Sequence, residues 1–215
     1  MRTALALVGT FALVAAAGVS ATTVPNVAQL VLRPSQVGPG FVRPPGTDGR
    51  GVKNQVTLNL CGYDYPSESR RLTRLQTAYL HPSQTAGISN EVVTYKGDGA
   101  AQAMREVAQH ADNCPFRLMG KPGEPKLRFK ITRIYDSHLL KGYVAVRVVA
   151  SGVVSGQHVA QISYSVYQRR GNVLSGVYSF DTANSDALQR RLCLHAAEQS
   201  ALNLRNASLP GAPTA

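Results

Sequence analysis

The sequence predicts an α+β fold: a single antiparallel sheet of about seven strands, with helices packed on one face and a disulfide as a brace. Segments in which apolar and polar residues alternate recur along the chain, as expected for half-buried strands. They come as a group of three, a helix, a group of four and a second helix. Such alternation is typical of an antiparallel sheet that packs on one side and is solvated on the other.

Three segments make up the first group of strands. In Gln55 to Leu60 every second residue is apolar, which predicts a half-buried strand. Leu72 to Leu80 has a mixed pattern, and both a strand and a short helix fit it. Glu91 to Lys96 is predicted as a strand. The turn before the second segment is indicated by Pro66-Ser67-Glu68.

Two helices are predicted. Asp98 is a suitable N-cap for a helix through Asp112, which carries one apolar stripe and is stopped by Asn113-Cys114-Pro115. Ser185 can cap the last helix, where Asp186 lies in the favourable first turn. The apolar positions of this helix are Leu188, Leu192, Ala196 and Leu202.

Four closely spaced strands form the second group. Alternation defines them at 127–132, 143–148, 160–167 and 173–180. Gly171-Asn172 is a two-residue hairpin signal between the last two. The group therefore predicts a run of antiparallel strands before the final helix.

The chain divides into four parts. Residues 1–21 have the basic start, short apolar run and small-x-small end (Val19-Ser20-Ala21) of a signal peptide, which we expect to be cleaved after Ala21; an uncleaved anchor is the alternative. Residues 22–51 are rich in Pro and Gly and predicted irregular, with one helical turn at 35–38. The domain proper is expected at 52–205, and a flexible tail at 206–215. With no Cys near the cleavage site, we expect a secreted, extracytoplasmic protein without a lipid anchor.

Composition limits both the class of protein and the kinds of partner that fit the sequence. Hydrophobic residues make up 44% and charged residues 16%, which excludes a wholly disordered chain. The net charge is +11, and such a field attracts anions of many kinds. The expected partner is a small molecule or an anionic envelope component, with contact to a membrane surface; no nucleic acid is expected, and the protein is expected to be a monomer. A solvated surface is the ordinary interpretation of dispersed charge, and the basic residues cluster only at Arg70-Arg71-x-x-Arg74, Lys126 to Arg133, Arg169-Arg170 and Arg190-Arg191.

The three cysteines fit an oxidising compartment, in which disulfides persist. Cys61 closes the first predicted strand and Cys114 closes the first predicted helix, so a bridge at either can join two layers. The odd count leaves one cysteine over. Cys193 lies inside the last predicted helix among small residues, which predicts a buried, inert thiol.

Five short motifs resemble a known family. In order they are Thr57-Leu58-Asn59-Leu60-Cys61-Gly62, Pro66-Ser67-Glu68, Ser89-Asn90-Glu91-Val92-Val93, Gly99-Ala100-Ala101-Gln102-Ala103-Met104 and Asn113-Cys114-Pro115. Over residues 28–204 the chain resembles actinobacterial secreted sensor-like domains, the group that includes the outer domain of the mycobacterial kinase PknH. The resemblance implies an α+β domain with a ligand cleft, no known catalysis and a bond between Cys61 and Cys114. This chain departs from the pattern: it has no kinase, no spanning helix and no second cysteine pair.

Catalytic signatures are missing from the sequence. It has no Gly-x-Ser-x-Gly elbow, no phosphate-binding P-loop and no His-Glu-x-x-His, and we expect no cofactor. His195 and Glu198 are spaced to share a helix face and could hold a metal, but a plain surface pair is the simpler interpretation, so no metal site is predicted.

Two functions are possible for the motif acids Glu68 and Glu91. A non-catalytic binding or sensor-like domain would use Arg70, Arg74, Glu91, Tyr63 and Tyr95 to contact its ligand. A small secreted hydrolase would instead use Glu68 or Glu91 as acid or base. Glu91 beside a second unpaired acid would favour the hydrolase, whereas Glu91 paired to Arg70 or Arg74 would favour the binding domain.

Overall fold

An eight-stranded antiparallel sheet forms the middle layer of the computed structural model, which describes residues 24–82, 86–114, 117–119, 126–209 and 212. The strand order is β1-β2-β3-β8-β7-β6-β5-β4. Short 3₁₀ helices span Val27–Gln29 and Pro66–Arg70. The remaining elements are α1 (Pro34–Val37), β1 (Gly49–Arg50), β2 (Arg71–Leu80), β3 (Ala86–Tyr95), α2 (Gly99–Asn113), β4 (Arg117–Met119), β5 (Leu127–Arg133), β6 (Val144–Val154), β7 (Gln157–Arg170), β8 (Val173–Asp181) and α3 (Asp186–Asn206).

The predicted fold class is confirmed. The sheet is single and antiparallel throughout, with seven strands of three residues or more and the two-residue β1 at one edge. The ambiguous segment at 72–80 is a strand, because it pairs with β3 from Arg71 to Leu80. The helical turn expected near Ser35 is α1.

The strand predicted at 55–60 is wrong. Backbone N–H groups of Thr57 and Leu58 donate to the Glu68 carboxylate, at 3.0 and 3.2 Å, and not to a neighbouring strand. Leu58 is buried, while Val56 is 63% exposed. Thr57 is buried as well, so burial does not follow the alternation, and an irregular segment held by one carboxylate takes the place of the predicted strand.

Helices on one face of the sheet were also a wrong expectation, because α2 and α3 pack on opposite faces. Val144, Val146 and Val148 of β6 join the core beneath α2. Ala145, which lies between the first two, joins the core beneath α3. Because successive strand residues point to opposite faces, one strand serves both helices. We call these the α2 face and the α3 face.

The α3 face of the sheet also carries buried polar side chains. Asn90 donates to Ser175 Oγ at 3.0 Å, and Ser175 pairs with Ser200 of α3 at 2.7 Å. Gln168 Nε2 donates to the Ala197 carbonyl at 2.8 Å. Buried polar groups are tolerated when they are hydrogen-bonded. Polar side chains on this face are thus covered by a helix rather than by solvent.

The segment 24–41 packs on the α3 face, although it was predicted irregular. Leu32, Val37 and Phe41 are buried against the α3 side of the core. Gln36 Nε2 donates to Asn203 Oδ1 at 2.8 Å, which joins α1 to α3. The expected signal peptide lies outside the described residues, and so does half of the expected tail. In the part of the chain that the structure describes, no helix is long and apolar enough to cross a bilayer.

The disulfide is present between Cys61 and Cys114, with 6.4 Å between the Cα atoms. It joins the end of α2 to the irregular segment that precedes the Pro66 turn. Cys193 is free and fully buried, and burial raises the pKa of its thiol to about 12. Both features agree with the expectations.

Candidate functional site

Two of the five predicted ligand-binding residues form a buried ion pair. Arg74 and Glu91 lie side by side on β2 and β3, with Arg74 Nε donating to Glu91 Oε1. Thr57 Oγ1 donates to the same carboxylate oxygen at 2.7 Å from the covering segment. Burial raises the pKa of Glu91, while the Arg74 charge and the Thr57 hydroxyl oppose this rise. The pair satisfies the condition that favours the binding domain over the hydrolase.

Of the other three, Arg70 and Tyr95 are neighbours beside Gly99 but differ in exposure. Tyr95 is fully buried under α2. Arg70 is partly exposed and pairs with Asp98 at 2.6 Å. Tyr63 stacks on His110 with ring centroids 4.1 Å apart. The five residues do not line one open surface: ligand contact by Arg74 and Glu91 would require the segment 51–60 to move, and Tyr95 lies beneath α2. Their ligand-binding role stays a prediction.

Glu68, the other acid considered for catalysis, is a structural clamp. It accepts the two backbone N–H groups described above and pairs with Arg71 at 3.1 Å. Desolvation raises the pKa of Glu68, and these donors oppose the rise. Each carboxylate therefore has charged and neutral donors that fix its position.

An open cleft lies on the α3 face, where α3 begins. Asp181 fixes this helix start, since its carboxylate accepts the N–H groups of Ala183 (2.9 Å) and Ser185 (2.6 Å). The expected cap by the Ser185 side chain is not formed. The cleft measures about 660 Å³ and its lining includes Arg133, Tyr135, Arg147, Tyr164, Asp186 and Arg190. We call it the arginine cleft.

The wall of the arginine cleft is pre-organised by one acid. Asp186 accepts from Arg147 Nε and Nη2, each at 3.0 Å, and from the Tyr164 hydroxyl at 2.5 Å. These donors hold the pKa of Asp186 below its ordinary 3.8. Burial, followed by the hydrogen bond to Asp186, raises the pKa of Tyr164 to about 12. Both groups therefore keep their ordinary protonation states at neutral pH.

The cleft has three arginines, two of which are each paired with an acid, and this leaves one net positive charge. Arg133 pairs with Asp112 at 2.8 Å, and Arg147 with Asp186. Arg190 is exposed. Among the described residues it forms no ion pair, and it affects Asp186 only by longer-range electrostatic attraction. Its guanidinium can therefore meet a ligand without first breaking an ion pair.

Tyr135 forms the rim of the cleft and is 84% exposed. Together with Arg133 and Ile134 it also borders a second depression of about 390 Å³ on the α2 side. A large aromatic side chain left in solvent between two depressions is a ready contact for a ligand, because its ring offers apolar area and its hydroxyl a hydrogen bond.

One group of potential metal ligands occurs among the described residues. Asp136 Oδ1 and Glu198 Oε1 lie 3.0 and 3.7 Å from His138 Nδ1. Glu198 was expected beside His195, and the structure instead brings it to the loop after β5. The His138 side chain is largely exposed and the Asp136 oxygen also accepts the His138 backbone N–H, so an ordinary loop turn accounts for the group.

Sequence reasoning missed the arginine cleft, although it noted two of its parts. The clusters at Lys126 to Arg133 and Arg190-Arg191 were both recognised as basic. Strand register places Thr132 opposite Arg147, and the start of α3 then adds Arg190 to the same surface. The cleft forms only when strands far apart in the sequence pair with each other, and the sequence alone does not show this pairing.

Comparison with known proteins supports the fold. The structure is similar to the crystal structure of the extracellular domain of PknH from Mycobacterium tuberculosis, with a TM-score of 0.55 and 13% sequence identity. The alignment covers 80% of this chain and 93% of that one. No protein-family model and no curated protein sequence matches the chain. The similarity shows a shared fold.

Proposed function

We propose that this chain is a non-catalytic domain that works outside the cytoplasmic membrane and binds an anionic ligand in the arginine cleft. The cleft itself carries the proposal. Its volume is in the range of small-molecule sites, and its polar groups converge on one opening. Arg190, which has no ion-pair partner among the described residues, the rigid Arg147 behind it and the exposed Tyr135 form a suitable set for a carboxylate or phosphate group.

The proposed location depends on two features. The leader at 1–21 has the pattern of a cleaved signal peptide, and the chain offers no thiol near its end for lipid attachment. The bond between Cys61 and Cys114 is of a kind that persists in oxidising compartments. The fold shared with an extracellular domain is consistent with this location.

We infer the absence of catalysis from the surroundings of Glu68 and Glu91. A glycosidase or esterase of the kind considered for Glu68 and Glu91 needs one carboxyl that can reach substrate and exchange a proton. Glu91 is only 2% exposed and its ion pair lies under the segment 51–60. Glu68 is tied to two backbone N–H groups of the same segment.

A matched pair of variants tests the cleft. Arg190 and Arg191 are adjacent, both exposed and both on α3, but only Arg190 lines the cleft. We expect Arg190→Gln to weaken binding of inorganic phosphate or citrate about tenfold, the usual effect of losing a charged hydrogen bond. Arg191→Gln should leave it unchanged. Isothermal titration calorimetry at low salt measures both.

Equal effects of the two variants would show a general charge effect and overturn the cleft assignment. Native mass spectrometry of the mature protein, purified from its own source, gives the ligand class directly. A co-purified anion whose retention depends on Arg190 supports the proposal; a bound cation or neutral sugar contradicts it.

A further inference from the structure

The hairpin formed by β6 and β7 extends past both helices. None of the residues 149–163 is buried, on either face. Its turn is tight, because Ser155 and Gly156 both have positive φ, 51° and 79°. Close to the turn, Val153 is 48% and Val159 is 40% exposed. We call residues 153–159 the hairpin tip.

The only ionisable side chain in the tip is that of His158. Between Val148 and Gln168 the sequence has no Asp, Glu, Lys or Arg. Exposed β-branched residues at a turn are costly in water, since turns usually carry polar residues. The two valines lie on opposite faces of the hairpin, because Val153 pairs with His158 and Val159 with Gly152. They therefore point away from the rest of the core and present an apolar end.

Basic residues border this apolar end on one side. Arg128 of β5 lies opposite Ser151, which is two residues from Val153 and so about 7 Å behind it. Lys126 and Arg128 share with Val153 and His158 a depression of about 800 Å³. Asp136 is the only acidic residue from 126 to 168. The charge of this end of the molecule is thus complementary to an anionic surface.

We infer that the hairpin tip docks on the surface of an anionic lipid bilayer. The headgroup layer is roughly 5–7 Å thick, which matches the separation between Val153 and Arg128. Val153 and Val159 would enter the boundary of the acyl chains, while Lys126 and Arg128 would meet lipid phosphates. A soluble polyanion would use the basic residues but would gain nothing from exposed valines. The inference goes beyond the proposed function, because none of these residues lines the arginine cleft.

Vesicle co-sedimentation of the mature protein tests the inference. Vesicles of phosphatidylcholine with phosphatidylglycerol are compared with vesicles of phosphatidylcholine alone. We expect binding to the anionic vesicles only, and about a fivefold loss for each charge removed in Lys126→Gln and Arg128→Gln. The double variant Val153→Thr, Val159→Thr should also lose at least about fivefold. Threonine keeps the branched shape and the strand propensity, so the hairpin should fold.

Two controls match these variants. Val56→Thr changes a valine that is 63% exposed on another segment, and Arg169→Gln removes a charge at the far end of β7; neither should alter vesicle binding. Equal binding to both kinds of vesicle would overturn the inference. So would unchanged binding by the valine double variant, which, together with displacement by inorganic polyphosphate, would assign the surface to a soluble polyanion.

Discussion

Arg74 and Glu91 lie beneath the segment 51–60, where water cannot screen either charge. Their position gives these residues a structural role: the pair fixes β2 to β3, and Thr57 ties the covering segment to Glu91. A buried pair contributes little net stability compared with apolar residues, but removing one partner leaves a charge buried alone. The structure around this ion pair is therefore sensitive to single substitutions.

Glu91→Gln should lower the free energy of unfolding by about 3 kcal/mol, because Arg74 then stays buried without its counter-charge. The double variant Arg74→Met, Glu91→Leu should recover much of this loss. Urea unfolding of the two variants measures both. Asp98→Asn, which removes an exposed pair with Arg70, is the control and should not change the midpoint. Equal stability of Glu91→Gln and wild type would contradict a buried ion pair.

Asp186 makes stability depend on pH in the acid range. Its folded pKa is below 3.8, so the folded state favours the carboxylate. The stabilisation is present above the unfolded pKa and is lost as pH falls through the folded pKa. Asp186→Asn should therefore be less stable than wild type at neutral pH, by at most about 1 kcal/mol for a half-exposed pair. This difference should shrink well below pH 3.8, as measured by urea unfolding. A difference that grows on acidification would contradict the assignment.

At the scale of elements, the disulfide joins α2 to the segment that covers the Arg74–Glu91 pair. The two cysteines are 53 positions apart, and closing a loop of this length constrains the unfolded chain by about 4 kcal/mol. The variant with Cys61 and Cys114 changed to Ala should lose about that stability, and its melting temperature should fall by roughly 8–16 °C. Differential scanning calorimetry measures the shift.

Cys193 provides the control for the disulfide. Its thiol is fully buried with a raised pKa, so it should not react with a thiol reagent in the native protein and should react after denaturation. Peptide mapping under non-reducing conditions should link Cys61 to Cys114. A linked peptide that contains Cys193 would show the pairing to be wrong.

The sequence predicts most elements, and two of its errors share one physical origin. Alternation is a local pattern of residue types, and it does not determine which side chains become buried. In Gln55 to Leu60 Val56 is exposed while Thr57 and Leu58 are buried, because Glu68 and Glu91 hold the segment through hydrogen bonds. On the α3 face the buried amides of Asn90 and Gln168 are hydrogen-bonded, so a helix can cover polar side chains. Tertiary contacts decide both cases, and they cannot be derived from local periodicity.

At the scale of the whole molecule, export stays a prediction. The mature chain should begin near Thr22 and be found in the medium or loosely held at the cell surface, because the small-x-small site precedes it and no lipobox cysteine is present. N-terminal sequencing of the protein from fractionated cells measures this. A chain that begins at Arg2 or Thr3 in the membrane fraction would contradict it.

The candidate sites also belong to this scale. Of the cleft residues, Arg133 and Arg190 stood in basic clusters that the sequence shows, but Arg147 and Asp186 meet only because β6 lies beside the start of α3. Arg70, Arg74 and Glu91 were proposed from motif proximity, and the fold turns two of them inward. Proximity along the chain is a weak guide where a sheet brings distant strands together.

The length of strand β7 determines where a label can be attached without blocking the hairpin tip. Its 14 residues span roughly 40 Å, with the hairpin tip at Gln157 and Arg170 at the other end. Arg170 donates to the carbonyls of Leu204 and Ala207, near the point where Val27 and Leu209 join one apolar cluster. A fluorophore or immobilising tag attached beside residue 24 or 209 would therefore leave the opposite pole unobstructed, and a surface-tethered molecule would present its valines to solution.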